Sequence, residues 1–183
     1  MLEEDRNMVG WSFLDFVFYC SDVVVWSKAY LKEFSAAIAS LKEFAGLDAV
    51  VRDCRGKIVV AGCSLSGRGF SPQCVEAKAM CFGLSIALEA GFSHILLESD
   101  AFSVVNLVTS KSPPYSEIGL FILDILNLLK FPSMCGVSYS YRSTNMIVHS
   151  LTKLAFSFSS ESIWVANFLY SVESFISADL AGL

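Results

Sequence analysis

The sequence predicts an α/β domain in which a mixed sheet of five strands is covered by helices. Two short apolar segments flank the turn Asp53-Cys54-Arg55-Gly56, which indicates an antiparallel hairpin. Beyond residue 73 helical segments alternate with short apolar strands, a pattern typical of parallel crossover units. The length of 183 residues suits one domain with its own core, and no repeat or low-complexity tract divides it.

Composition excludes a disordered chain and disfavours a membrane protein. Apolar residues make up 54% of the chain and charged residues 17%, where about 45 to 50% and about 25% are usual. The most apolar stretch, residues 8–26, contains Asp15 and Asp22, each of which costs about 2.5 to 3.5 kcal/mol near the membrane centre. The chain begins with acidic residues instead of the basic region of a secretory signal. We therefore expect an intracellular protein, cytoplasmic or nuclear, monomeric by default and without a membrane partner.

Charge and cysteine content narrow the choice of ligands. The net charge of −5 argues against non-specific phosphate binding, so a nucleic-acid site must be a local patch. The six cysteines are dispersed, with no C-x2-C pair and no histidine at metal spacing. Reduced, buried thiols are therefore expected in place of a zinc site.

The elements follow from apolar periodicity and from turn residues. Strands are predicted over 31–39, 47–53 and 57–65, a helix over 73–90 that ends at Gly91, a strand over 94–97, helices over 101–109 and 116–130, a strand over 135–141, and a helix over 144–159. The first three strands form an antiparallel meander β1-β2-β3, and the last two, β4 and β5, extend it in parallel. Residues 1–28 are an N-terminal extension of uncertain structure, 29–165 the domain, and 166–183 a tail expected to be helical.

Two carboxylates stand where chemistry is plausible. Glu76 precedes Met80 and Leu84 by four and eight residues, which places it on the helix stripe that faces the sheet. The alternative is a first-turn acid that favours the helix N-terminus and reaches solvent. Asp100 follows a buried strand, at the edge where ligands of α/β sheets gather, although it also suits the N-cap of the next helix. If both acids converge above one sheet edge, they provide what a divalent-metal phosphodiesterase site requires.

An ordered set of motifs extends these two positions. They are Val75-Glu76-Ala77-Lys78-Ala79, then Glu98-Ser99-Asp100 with Val104-Val105, then Arg142-Ser143-Thr144-Asn145 with His149-Ser150-Leu151. In this order they resemble the plant-type ribonuclease H-like domain of non-LTR retroelement proteins, which is associated with reverse transcriptases. The resemblance covers about residues 26–165.

That resemblance implies a ribonuclease H-like fold and metal-dependent hydrolysis of the RNA strand of an RNA-DNA hybrid, with Mg²⁺ or Mn²⁺ as cofactor. Glu76 and Asp100 match two carboxylate metal ligands, and His149 matches a further catalytic position. An exposed first-turn helix residue is the alternative for His149. Asn145 and Arg142 match signature residues that would bind the substrate. The nucleic-acid hybrid is the partner that the resemblance implies.

The first strand departs from the family pattern K-x-N-x-D-G/A-A. Here the segment reads Leu31-Lys32-Glu33-Phe34-Ser35-Ala36-Ala37, so that Ser35 occupies the aspartate position. Two divalent ions about 3.5 to 4 Å apart depend on carboxylate charge, so weak metal binding is expected. Glu33 lies about 6.6 Å from Ser35 along a strand, too far to take over. Asp48, on the second strand, is expected to be a solvated hairpin acid, and a position facing the sheet edge is the alternative.

Three interpretations of the sequence follow. The first is a nucleic-acid-binding, ribonuclease H-like domain whose hybrid ribonuclease activity is impaired by Ser35. The second is a catalytically inactive pseudoenzyme that keeps the fold as a nucleic-acid or protein interaction module, which Ser35 and the acidic net charge favour. The third is the marginally folding product of a decaying gene, which the apolar composition also fits.

Overall fold

The computed structural model describes residues 22–31, 45–66, 69–141 and 161–165. In chain order these residues form strands β1 (Asp22–Leu31), β2 (Ala45–Asp53) and β3 (Ile58–Leu65), helix α1 (Pro72–Glu89), strand β4 (His94–Ser99), helices α2 (Phe102–Thr109) and α3 (Glu117–Leu128), and strands β5 (Met134–Tyr139) and β6 (Ser162–Val165). The predicted helix over 144–159 and the tail 166–183 lie outside these ranges, as do residues 1–21.

The described strands form one mixed sheet in the order β5-β4-β1-β2-β3-β6. β1, β2 and β3 are antiparallel neighbours, while β4 runs parallel to β1 and β5 parallel to β4. This arrangement confirms the predicted meander with two parallel additions. The expected count of five strands is wrong, because β6 pairs antiparallel with β3 through Ala61 and Trp164. A strand of four residues carries too little alternation to be recognised from sequence.

β1 lies earlier in the chain than predicted. The sequence indicated a strand over 31–39, whereas β1 ends at Leu31 and residues 32–39 lie outside the described ranges. β1 occupies the centre of the sheet, and its side chains Val23 and Val25 are buried. A run of β-branched residues is typical of a strand covered on both faces. In the sequence this run lies at the end of the apolar stretch 8–26, which hides its β character.

Helix α1 begins where the sequence provides both a cap and a proline. Ser71 is the N-cap, its Oγ accepts a hydrogen bond from the Cys74 amide at 3.3 Å, and Pro72 occupies the first helical turn. Met80, Leu84 and Ala87 are fully buried against the sheet. The predicted apolar stripe of this helix is therefore confirmed.

A glycine allows α1 to lie unusually close to the sheet. A Cβ atom at Gly83 would lie 3.0 Å from Val25 Cγ1 and 3.2 Å from the Cβ atoms of Ala49 and Ser27. These neighbours belong to β1 and β2 at the middle of the sheet. The absence of a side chain at Gly83 thus sets the depth of the whole helix.

The β2–β3 connection is the tight hairpin that the sequence predicts. The Asp53 carboxylate accepts hydrogen bonds at 2.9 Å from the amides of Arg55 and Lys57, and Gly56 has a φ of +78°. Glycine adopts this left-handed conformation without steric cost. Among the described residues, no helix combines the length and apolar character needed to cross a membrane.

We expect Gly83→Ala to lower the free energy of unfolding by about 1 to 2 kcal/mol. Overpacking a core costs about 1 to 3 kcal/mol, and the higher helix propensity of alanine offsets at most about 1 kcal/mol. Two of the three close neighbours are Cβ atoms, which move only with their strands. Urea unfolding measures the change, with Glu89→Ala at an exposed position of the same helix as control. Equal or higher stability of Gly83→Ala would show that the helix can retreat without cost.

The exposed cysteine should react faster than the buried cysteines. Burial raises the pKa of Cys63, Cys81 and Cys135 to about 12, whereas Cys54 is exposed in the hairpin turn. Since the thiolate is the reactive form, alkylation at pH 8 followed by peptide mass spectrometry should modify Cys54 at least tenfold faster than those three. Comparable labelling of all four thiols in the folded protein would contradict the described core.

Candidate functional site

Glu76 lies in the second turn of α1, on the stripe that packs against the sheet. It is half-buried, and Met80 one turn later is fully buried. The N-cap at Ser71 and the close approach at Gly83 fix this part of the helix from both sides. The carboxylate is therefore held near the sheet by packing around its own helix.

Asp100 directly follows the last residue of β4 and is half-buried. The buried Ser99 accepts a hydrogen bond at 3.2 Å from the Ala101 amide, and Ala101 is the N-cap of α2. Asp100 therefore does not occupy the N-cap position that the sequence offered as an alternative. It stands at the carboxyl end of a buried strand, where α/β sheets bind ligands.

The first turns of α1 and α2 are in contact. Gln73 Nε2 donates to Ser103 Oγ at 3.5 Å. Gln73 lies three residues before Glu76 on one helix, and Ser103 lies three residues after Asp100 on the other. The two elements that carry the predicted carboxylates thus meet at their N-terminal turns.

β1 brings no carboxylate to this edge. Ser27 is the register partner of Ser99, the residue of β4 that directly precedes Asp100. Residues 26–31 read Trp-Ser-Lys-Ala-Tyr-Leu, and Asp22 pairs with His94 at the opposite end of the strand. Ser35 lies outside the described residues. The motif position, Ser35, and the position given by the sheet register, Ser27, are therefore both serines and not acids.

Asp48 is fully buried, so its expected role as a solvated hairpin acid is wrong. It is the register partner of Lys28 on β1 and of Cys63 on β3, at the centre of the sheet. Side chains alternate between faces along a strand, and Ala49 next to it packs toward α1. Asp48 therefore belongs to the sheet face opposite α1. The signal in the sequence was its place inside the strand, two residues before the buried Val50.

Two further charged side chains, those of Arg52 and Glu98, lie on the sheet face opposite α1. Burial lowers the pKa of Arg52, and the Glu98 carboxylate partly opposes the shift. Burial raises the pKa of Glu98, against the effect of Arg52. Nε and Nη2 of Arg52 have no hydrogen-bond partner among the described residues. Because Leu97 packs toward α1, the alternating Glu98 points away from the Glu76 side.

The acids of this edge do not form a complete metal centre. Within the ranges the structure describes, no group of three or more His, Cys, Asp or Glu side chains is arranged to hold a metal ion. Three of the predicted site residues, Arg142, Asn145 and His149, lie outside those ranges. Glu76 and Asp100 alone do not fit a two-metal site, which needs more anionic ligands.

The fold is that of ribonuclease H. The structure is similar to ribonuclease H1 of Halobacterium salinarum, with a TM-score of 0.63 and 20% identity over 74% of this chain and 98% of that one. It is also similar to LC11-RNase H1 in complex with an RNA/DNA hybrid, isolated from compost, with a TM-score of 0.62 and 11% identity over 74% and 97%. The protease-reverse transcriptase of prototype foamy virus matches with a TM-score of 0.54 and 17% identity over 77% of this chain and 21% of that chain.

The sequence assigns the family. Residues 33–155, more than half of the chain, match the model of the reverse transcriptase-like family. The chain belongs to this family, which confirms the resemblance to ribonuclease H-like domains associated with reverse transcriptases. A comparison with curated proteins finds no match. The plant and retroelement origins stay predictions.

Glu98 should make the stability depend on pH. Burial raises its pKa in the folded protein above the ordinary value of 4.5, so its ionisation costs more in the folded than in the unfolded chain. The free energy of unfolding should therefore fall as the pH rises from about 4.5 through the raised pKa. Glu98→Gln should match the unchanged protein below that window and be the more stable of the two above it.

Urea unfolding at closely spaced pH values measures this difference. Glu89→Gln, at an exposed site on α1, is the matched control and should leave the pH profile unchanged. An identical pH profile for Glu98→Gln and the unchanged protein would mean that Glu98 is not desolvated.

Proposed function

We propose that the chain is a ribonuclease H-like domain that binds RNA-DNA hybrids and whose hydrolysis of the RNA strand is impaired. The observation that carries the proposal is the edge where α1 and α2 meet: Glu76 and Asp100 flank the Gln73–Ser103 contact, but the β1 residue that pairs with Ser99 is Ser27 and not an acid. Family membership supports the ligand, since LC11-RNase H1 and the foamy viral enzyme are each described with an RNA/DNA hybrid.

The charges explain why metal binding should be weak. Two divalent ions bring a total charge of +4, and Glu76 and Asp100 together bring only −2. Carboxylates hold such ions through charge as well as geometry. In this proposal His149 contributes at most a neutral nitrogen, and Asn145 and Arg142 contact the substrate. We therefore expect Mg²⁺ or Mn²⁺ to bind weakly.

A second candidate function is that of an inactive module that binds nucleic acid without cutting it. The observation that favours it is the residue type at the β1 position that pairs with Ser99. Ser27 stands there, and a neutral hydroxyl supplies none of the negative charge by which carboxylates hold a divalent cation. The two candidates share hybrid binding and differ only in cleavage.

Restoring an acid to the first strand separates these functions. We expect the unchanged chain to cleave a labelled RNA-DNA hybrid slowly or not at all in Mg²⁺ or Mn²⁺. Ser35→Asp restores the position indicated by the sequence motif, and Ser27→Asp the position given by the sheet register. One of the two should raise the cleavage rate at least tenfold, and Glu76→Gln in the same background should abolish the gain.

Ser112→Asp is the matched control, because it makes the same charge change at an exposed residue in the loop after α2. It should leave cleavage unchanged. Circular dichroism and thermal unfolding show which variants remain folded, and fluorescence anisotropy measures hybrid binding for each. Binding without cleavage in every folded variant would favour the inactive module. Failure of the unchanged protein to bind the hybrid would contradict the proposal.

A further inference from the structure

Three aromatic side chains form an exposed cluster, here called the aromatic cluster: Phe102, Tyr139 and Tyr141. Their exposed fractions are 65%, 37% and 71%. The rings of Phe102 and Tyr139 lie 5.5 Å apart, centroid to centroid, and those of Tyr139 and Tyr141 lie 5.3 Å apart, both edge to face. The rings therefore support one another while two of them keep more than half of their surface in water.

The aromatic cluster adjoins the edge that carries Asp100. Tyr139 is the register partner of Ser99, and the Ser140 amide donates to the Ser99 carbonyl at 3.1 Å. Phe102 opens α2 only two residues beyond Asp100. Two residues of chain span at most about 7 Å, so a ligand bound at Asp100 reaches the rings within one or two nucleotides.

These rings do not serve the core. Phe102 and Tyr141 project from a helix start and from the segment after an edge strand, and neither is a member of the buried cluster that joins α1 to the sheet. Exposed aromatic faces that are held in place by neighbouring rings suit the stacking of a nucleobase. Every nucleobase offers a π-face, so such a surface binds single strands with little sequence preference.

We propose that the aromatic cluster binds the unpaired bases of a single-stranded segment that continues from a hybrid lying over Glu76 and Asp100. This inference rests on the proposed function, because the hybrid places the single strand. It adds a substrate preference: hybrids with an unpaired overhang bind better than blunt ones. Phe102 and Tyr141 supply the stacking faces, and Tyr139 holds both rings in place.

Fluorescence anisotropy on the full chain tests this preference with four probes. They are a blunt hybrid, the same hybrid with a four-nucleotide overhang on the RNA strand, the same hybrid with that overhang on the DNA strand, and the tighter-binding of these two with its overhang made abasic. One stacked base corresponds to about a fivefold to a hundredfold change in affinity. We expect the overhang to bind at least fivefold tighter than the blunt hybrid for one strand polarity. The abasic overhang should lose that gain.

Substitutions in the aromatic cluster test whether its rings cause the tighter binding of the overhang. Tyr141→Ala and Phe102→Ala should each weaken binding of the overhang at least fivefold while leaving the blunt hybrid unchanged, and Tyr141→Phe should keep the gain. Tyr115→Ala, a fully exposed tyrosine beyond the far end of α2, is the matched control and should have no effect. Thermal unfolding confirms that each variant is folded.

Each outcome decides the proposal. If the alanine variants bind the overhang as tightly as the unchanged protein, the aromatic cluster is not the base-binding surface, while hybrid binding stands. If the blunt hybrid does not bind but the overhang does, and the alanine variants remove that binding, the cluster stands and the proposed function falls. If no probe binds, both are overturned.

Discussion

The contact on which the rest of the structure depends is that between α1 and the two central strands. Gly83 lies against Val25, Ala49 and Ser27 at distances that leave no room for a Cβ atom without a shift. A second glycine, Gly62 on β3, would place a Cβ atom 2.9 Å from the Phe82 ring of the same helix. Helix depth, and with it the height of Glu76 above the sheet edge, is therefore set by missing side chains rather than by polar contacts.

The chemistry proposed for the chain depends on which residue occupies the first-strand position of the site. The family match begins at residue 33, after β1 has ended at Leu31. The motif and the sheet thus point to different residues for the first-strand position, Ser35 and Ser27, yet neither is an acid. Both assignments place a serine at this position. This is why hybrid binding and hybrid cleavage must be considered separately for this chain.

The elements with strong local signals in the sequence were the ones predicted correctly. α1 shows a cap, a proline and an apolar stripe, and the hairpin has a glycine that needs a positive φ, so both were predicted within two residues. β1 was misplaced because two apolar segments compete for it and no acid fixes the register. Asp48 was misjudged because burial from both neighbouring strands is a tertiary property. The aromatic cluster was invisible because the parallel register of β4 and β5 joins residues that are 40 positions apart in the sequence.

The buried charges bear on whether the chain is a decaying remnant. Asp48 is fully buried, and Arg52 and Glu98 have pKa values shifted by burial. Removing an ion from water costs several kcal/mol even after relaxation. On the other face of the sheet, α1 packs in an apolar cluster in which Met80 and Leu84 are fully buried. This apolar core offsets the cost of the buried charges, which argues against a marginally folding product.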